Sequence, residues 1–435
     1  MLAHYLATAV NSLKRNITLT VLTIATIAIG IGGAMSTFTV YYAMSGDPIA
    51  WKSSQLFVPQ FDSLGPKARN KRDEPPDMIS YQDARAMMQL PGGSHQAAMY
   101  QTLMTVTPGD ANQARFAVSA RATGADFFQM FDTPFRSGRP WTVADDEARA
   151  DFVVISSKLA ARVFGDVDPV GKSIVLNAHG YQIVGVLAPW NPAPRFYDLT
   201  GDSLAQSDGV FLPFNTAIDR QMSTIGHLQC ENDPGGGWQS LLSSNCVWLQ
   251  YWVQLDTPAA AQHYAQLLSQ YASDQQRSGR FAWLPITRLR NERQWLTYQE
   301  VVPTQVRVVM VLGFGFLLVC LANAVGLLLA KFTGRSTDLA IRRALGASQR
   351  AVFMQCLSET ALVGVLGGAA GLVMALAGAA LERTVVEENL ARITHLDLVL
   401  VLITLLLAEL AALVAGLYPA WRVSRMQPAL QLNIR

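Results

Sequence analysis

The sequence predicts a membrane protein: four transmembrane α-helices, with a large α+β domain inserted between the first and the second. Three observations predict it. The 435 residues are 50% apolar but only 15% charged, with a mean hydropathy of +0.21, whereas a soluble domain ordinarily carries about 25% charged residues. The apolar surplus is concentrated in four charge-poor runs, each reaching the roughly 20 residues a helix needs to cross about 30 Å of hydrocarbon. Between the first and second runs lies a stretch of ordinary composition with mixed strand and helix periodicity. Such a chain is neither disordered nor an ordinary soluble protein, and a net charge of +2 gives no reason to expect nucleic-acid partners.

Taken in order, residues 1–16 place Leu2, Leu6, Val10 and Leu13 at helical spacing and end in Lys14 and Arg15. This pattern predicts an amphipathic helix on the membrane surface. Residues 17–46 hold no charge and form the first span. Ala43-Met44-Ser45 loosely resembles a signal-peptide cleavage site, but the run far exceeds the roughly 7–15 residues of a signal-peptide core, so it reads as a retained anchor. The other spans are residues 304–331, 360–381 and 398–421, the last interrupted only by Glu409.

Lys and Arg near the span ends set orientation. Lys14 and Arg15 precede span one. Lys331, Arg335, Arg342, Arg343 and Arg350 sit at or between the ends of spans two and three, and Arg422, Arg425 and Arg435 follow span four. The loop at 382–397 is net acidic. All basic segments fall on one side if both termini, the loop at 332–358 and the tail at 422–435 are cytoplasmic. Residues 47–302 then lie outside.

That outside segment reads as α+β. Residues 56–58, 99–107 and 116–121 predict strands and 79–90 an amphipathic helix; later, 247–255 predicts a half-buried strand, 258–273 a helix and 280–284 a strand. Two such halves (about 47–122 and 216–290) flank an inserted subdomain at 123–215. Within it, helices at 126–131 and 158–164 alternate with strands at 152–155, 173–176 and 182–187. Residues 191–209 and 231–245 read as loops, and polar residues 289–299 read as a helix that continues span two outward as a stalk (289–303). Cys230 and Cys246 bracket the second loop; in an oxidising compartment they are expected to pair, two free buried thiols being the alternative. Cys320 and Cys356 lie in or beside spans and read as inert packing residues.

Chemistry is sparse. The run from Gly165 to Gly171-Lys172-Ser173 mimics a phosphate-binding loop but is one residue too long, and it joins a helix to a strand rather than a strand to a helix. No metal-ligand spacing, nucleophile elbow or His/Asp grouping appears, so neither catalytic residues nor a metal or other cofactor is expected in this chain. Gly30 and Gly33 in span one, with Gly364/Gly368 and Gly367/Gly371 in span three, are close-packing signals, within one subunit or between two. Glu409 is costly in lipid and should face protein, with Asn323 as a possible hydrogen-bond partner.

Two segments carry a family resemblance. Gly334-Arg-Ser-Thr-Asp-Leu-Ala-Ile-Arg-Arg-Ala-Leu-Gly-Ala-Ser348, continuing to Glu359, and Leu417-Tyr-Pro-Ala-Trp-Arg-Val-Ser-Arg-Met-Gln-Pro428 resemble the FtsX-like (MacB-type) permeases of ABC transporters. Gly138-Arg139, the stretch from Leu159 to Lys172 and Val184-Gly-Val186 resemble that family's periplasmic core domain. Asp338 stands where the family usually has Glu.

The resemblance implies a bacterial inner-membrane permease whose ATP and Mg are held by a separate ABC ATPase subunit. It also implies a second permease copy or homologue and a possible periplasmic adaptor. Asp338, Leu339, Ile341, Arg342, Arg343, Leu345 and Gly346 would then form the coupling element, its apolar face (Leu339, Ile341, Leu345) in a groove of the ATPase. ATP-driven movements would reshape the periplasmic domain, a mechanotransmission that exports or extracts a substrate. The alternative is a regulator whose outside domain activates a cell-wall hydrolase or another partner.

Overall fold

The computed structural model describes residues 16–69, 73–109, 113–201, 203–385 and 398–426, without the side chains of 379–385. The expected surface helix at the N-terminus and most of the acidic loop at 382–397 lie outside the described residues. Two compact units result: Gly46–Val301, and Met1–Ser45 together with Val302–Arg435.

The second unit is built on the helices Ile17–Ser45, Thr304–Thr333, Gln349–Val385 and Leu398–Ser424, all long and apolar enough to cross a membrane. The third begins well before the expected residue 360. Its glycines serve both neighbours. A methyl on Gly367 or Gly371 would come within 2.8 and 3.0 Å of Ile27 and Ile31 in the first helix. On the other side, a methyl on Gly364 or Gly368 would come within 2.7 Å of Ala412 or Ala408 in the fourth. A methyl on Gly30 would come within 2.8 Å of Cys320 and one on Gly33 within 3.6 Å of Phe316, both in the second helix. These close approaches all lie within one subunit.

The expected Asn323–Glu409 bond does not form. Asn323 is exposed on the outer face of the second helix, while Glu409 lies against Gly364, its Oε2 buried and without a hydrogen-bond partner. The two side chains belong to different faces of the bundle.

Among the described residues of the Gly46–Val301 unit, eleven strands pair in one network. They are β1 (Leu56–Phe61), β2 (Ile79–Ser80), β3 (His95–Thr107), β4 (Phe116–Thr123), β5 (Phe135–Gly138), β6 (Phe152–Ser156), β7 (Ser173–Leu176), β8 (His179–Leu187), β9 (Val210–Pro213), β10 (Val247–Gln254) and β11 (Thr287–Asn291). The main order is β11-β1-β10-β3-β4-β9-β6-β8-β5, with β2 on β10 and β7 joining β3 to β8.

Successive side chains of a strand point to opposite faces, and both faces are covered. Ala98, Tyr100, Leu249, Tyr251 and Val253 enter one core; Ala97, Met99 and Trp252 enter another. β10 is therefore buried along its whole length, not half-buried as its alternation predicts, because it is central and flanked by β1 and β3. Residues 280–284 form no strand. The expected stalk helix is instead β11, the short helix Glu292–Tyr298 and a break at residues 299–303 before Thr304.

The Pro-rich stretch at 191–209 is held by charge. Arg121 of β4, fully buried, pairs with Asp208 at 2.5 Å and Asp198 at 2.7 Å, and Arg195 lies 3.8 Å from Asp198. Burial acts to raise the Asp198 carboxyl, but the Arg121 and Arg195 charges and the Thr200 hydroxyl outweigh it and hold it at about 2. This stabilisation is complete above the unfolded carboxylate value of about 3.9 and is lost as pH falls towards the folded value. Glu292 is the opposite case. It is fully buried and neither carboxylate oxygen has a hydrogen-bond partner; burial, and then Asp47, push it up to about 8. Stability is therefore lost as pH rises from the unfolded glutamate value of about 4.3 through the folded one.

Replacing Arg121 by Met should cost about 3–5 kcal/mol, since two carboxylates are left buried without their partner. Unfolding of the purified protein, followed by tryptophan fluorescence, checks this. In the same assay Glu292→Gln should reduce the fall in melting temperature between about pH 5 and 8, leaving the part due to buried Asp146, which is pushed up to about 6; an unchanged slope would refute the assignment.

A basic helix on a buried ion pair

The segment joining the second and third membrane helices carries the expected coupling residues. Ser336–Ala344 forms a helix with Asp338 in its first turn and Arg342 and Arg343 in its last. Both placements suit the helix dipole. It closes by a Schellman motif: Gly346 N–H donates to Arg343 O and Ala347 N–H to Arg342 O, each at 3.1 Å. Gly346 has φ +104°, a left-handed conformation that glycine adopts without strain. Ser348 Oγ then accepts from Ala351 N–H at 3.2 Å and caps the next helix.

Below this turn, three charges meet. Lys331, at the end of the second membrane helix, is fully buried with its Nζ 2.6 Å from Glu359 Oε1 on the third. Arg335 reaches Glu359 Oε2 at 3.4 Å. Such a pair joins two helix ends firmly, because removing either partner strands a buried charge. Nothing in the residue spacing announced it. The available signal was that Lys331 and Glu359 are lone charges at the margins of apolar runs, where a buried charge needs a partner.

The expected apolar face is split. Leu339 turns inward and packs on the core of the four-helix unit, next to buried Ala340. Ile341 and Leu345 point outward, Leu345 at 83% exposure. The arginines also differ. Arg342 is exposed and donates to Gln355 Oε1 at 3.1 Å, whereas Arg343 is half-buried and donates to the carbonyl of Met426, beyond the fourth helix. Arg342, Ile341 and Leu345 therefore form the accessible surface, beside a groove of about 270 Å³ floored by Cys356 and Glu359. Leu339 and Arg343 hold the helix in place.

Cys230 and Cys246 form a disulfide, closing the 231–245 loop next to a backbone bridge between Gln229 and Val247. Cys320 and Cys356 are free and buried. Among the described residues no cluster suited to a metal ion occurs. The run at 165–173 is a turn between the helix Ser157–Phe164 and β7.

The chain thus combines four helices long and apolar enough to cross a membrane, a basic interhelical turn, and a mixed-sheet domain inserted between the first two of those helices. Residues 20–271 match the MacB-like periplasmic core domain, and residues 310–428 the FtsX-like permease C-terminal domain. The chain belongs to this MacB-like, FtsX-type permease family.

It is 25% identical to the macrolide export ATP-binding/permease protein MacB of Azoarcus sp. over 98% of this chain and 58% of that protein. It is 26% identical to the pyoverdine export ATP-binding/permease protein PvdT of Pseudomonas syringae pv. tomato, over 95% of this chain and 57% of that one. The chain thus spans less than three-fifths of these relatives. The periplasmic region of MacB from Actinobacillus actinomycetemcomitans aligns at 13% identity and a TM-score of 0.38, covering 59% of this chain and 96% of that one. Four apolar helices and a domain of periplasmic type fit an inner-membrane protein.

Glu359→Ala should destabilise the protein by about 3–5 kcal/mol, whereas the Lys331→Met/Glu359→Leu double variant should recover most of that loss. Thermal unfolding in detergent measures both. Equal melting temperatures for wild type and Glu359→Ala would refute the structural role of the pair.

Proposed function

We propose that the chain is the permease subunit of an ABC transporter of the MacB type. It has both termini cytoplasmic and residues 47–302 periplasmic, and it couples ATP hydrolysis by an ABC ATPase subunit to movements of that domain. The observation that carries this reading is the helix Ser336–Ala344. It offers Ile341, Leu345 and Arg342 outward from a base fixed by Lys331, Glu359 and Arg335.

An exposed apolar pair beside a cation suits a groove on a partner with acidic groups, and a rigid base lets the partner's motion pass into the spans rather than dissipate in a loop. The positive-inside distribution supports placing this helix on the ATP side. Four spans leave little room for an internal substrate channel, which favours mechanotransmission between two permease copies, with a periplasmic adaptor possible. Such a change is a rigid-body switch between two packed states. The substrate is a molecule exported or extracted from the periplasm or outer leaflet; the names of the relatives indicate export for those proteins.

Leu345→Asp should leave membrane insertion and melting temperature unchanged but reduce co-purification of the ATPase at least about tenfold, the loss expected when a buried apolar anchor is charged. Gly346→Pro forbids the φ of +104° and should permit ATP hydrolysis while abolishing transport. Wild-type transport by both variants would overturn the coupling assignment.

A further inference from the structure

The Gly46–Val301 unit contains a cleft of about 790 Å³ that the coupling reading does not use. This is within the size range of pockets that enclose drug-sized ligands. Three separate stretches of chain wall it: the helix Tyr81–Met87, the helix Phe214–Asp219, and the helix Trp238–Leu242 inside the disulfide-closed loop.

The walls are fixed before any ligand arrives. The Tyr81 ring stacks on Phe214, with centroids 6.3 Å apart and planes 18° apart. Trp238 donates its indole N–H to the carbonyl of Ile218 at 2.9 Å, and its ring meets Trp248 edge-on. Gln82 donates to the carbonyl of Ser243, linking the first wall to the third, and the Cys230–Cys246 bond closes the base of the third.

The charge in the cleft is unbalanced. Asp219 is the one carboxylate among its lining residues, and Arg149 holds it at 3.0 Å. Arg85 is exposed on the opposite wall and makes no ion pair among the described residues. The Arg85 charge acts on the buried Asp146 carboxyl, which accepts from the backbone N–H of Asn215 at 2.9 Å. The rest of the polar lining is neutral and hydrogen-bonding, supplied by Gln82, Asn215, Gln221, Gln239 and Ser243. An exposed guanidinium that makes no ion pair among the described residues, two fixed aromatic rings and the amides of the lining form a complementary surface for an anion on a flat body.

We infer that this cleft binds a small molecule carrying a carboxylate or phosphate on a flat, partly apolar frame, the anion at Arg85 and the frame against Tyr81 and Trp238. The inference is independent of the coupling reading, and its test needs neither ATP nor an ATPase.

The full chain, purified in detergent with 5-fluorotryptophan, is titrated by ¹⁹F NMR with 1-naphthoate, 1-naphthyl phosphate and the neutral 1-naphthalenemethanol. The Trp238 resonance is identified from Trp238→Phe. At least one anion should shift that resonance saturably and bind about tenfold or more tighter than the neutral compound. Arg85→Gln should remove that preference and Arg85→Lys should retain most of it; whichever anion binds more tightly identifies the acid group. Equal response to the neutral compound, no saturable shift with any probe, or an Arg85→Gln variant that binds like wild type would overturn the assignment.

Discussion

Helices in a bilayer gain nothing from hiding apolar side chains from one another, since lipid is as apolar as leucine; they associate where their surfaces come close. The four-helix unit depends on that constraint. The third helix carries glycines on two sides, Gly367 and Gly371 towards the first helix and Gly364 and Gly368 towards the fourth. A side chain at any of these positions would push a neighbour away and withdraw the packing that holds the bundle. The long lipid-sized runs make helices obligatory, but the glycines decide which faces meet.

Charge performs at the helix ends what glycine performs in the middle. Lys331 and Glu359 would each be costly if buried alone, and together they tie the second and third helices where both leave the apolar zone. The basic turn above them inherits a rigid floor. That floor separates two roles within one short motif: Leu339 and Arg343 are spent on the fold, while Ile341, Arg342 and Leu345 remain outward. A motif read as a single functional face is in fact half foundation.

The Gly46–Val301 unit applies the same economy to a sheet. Its central strands bury both faces, so period-two alternation no longer marks an exposed side, and β10 shows why a strand can look amphipathic in sequence and be wholly enclosed. The stretch at 191–209, loop-like by composition, supplies Arg195, Asp198 and Asp208 to a buried network around Arg121. The stretch is a loop, as its composition predicts, but composition does not report burial; here the polar groups are satisfied by each other, which only a contact between residues some eighty positions apart could reveal. The cleft between Tyr81, Arg85 and Trp238 was illegible for the same reason, because its three walls are brought together by the sheet rather than by adjacency in the chain.

Hydropathy, charge position and local capping need only neighbours within one turn or one span. The sequence alone therefore determined the four spans, their expected orientation, the α+β character of the inserted segment, the Gly346 helix stop and the candidacy of Cys230 and Cys246 as a pair. Tertiary structure decided what depends on long-range contact. It parted Asn323 from Glu409, split the stalk into β11 and a short helix, and chose Lys331 and Glu359 as partners. It also turned Leu339 and Arg343 inward. The reason is common to all of these: burial of a polar group is tolerable only when its partner is present, and no local pattern encodes which distant residue that partner will be.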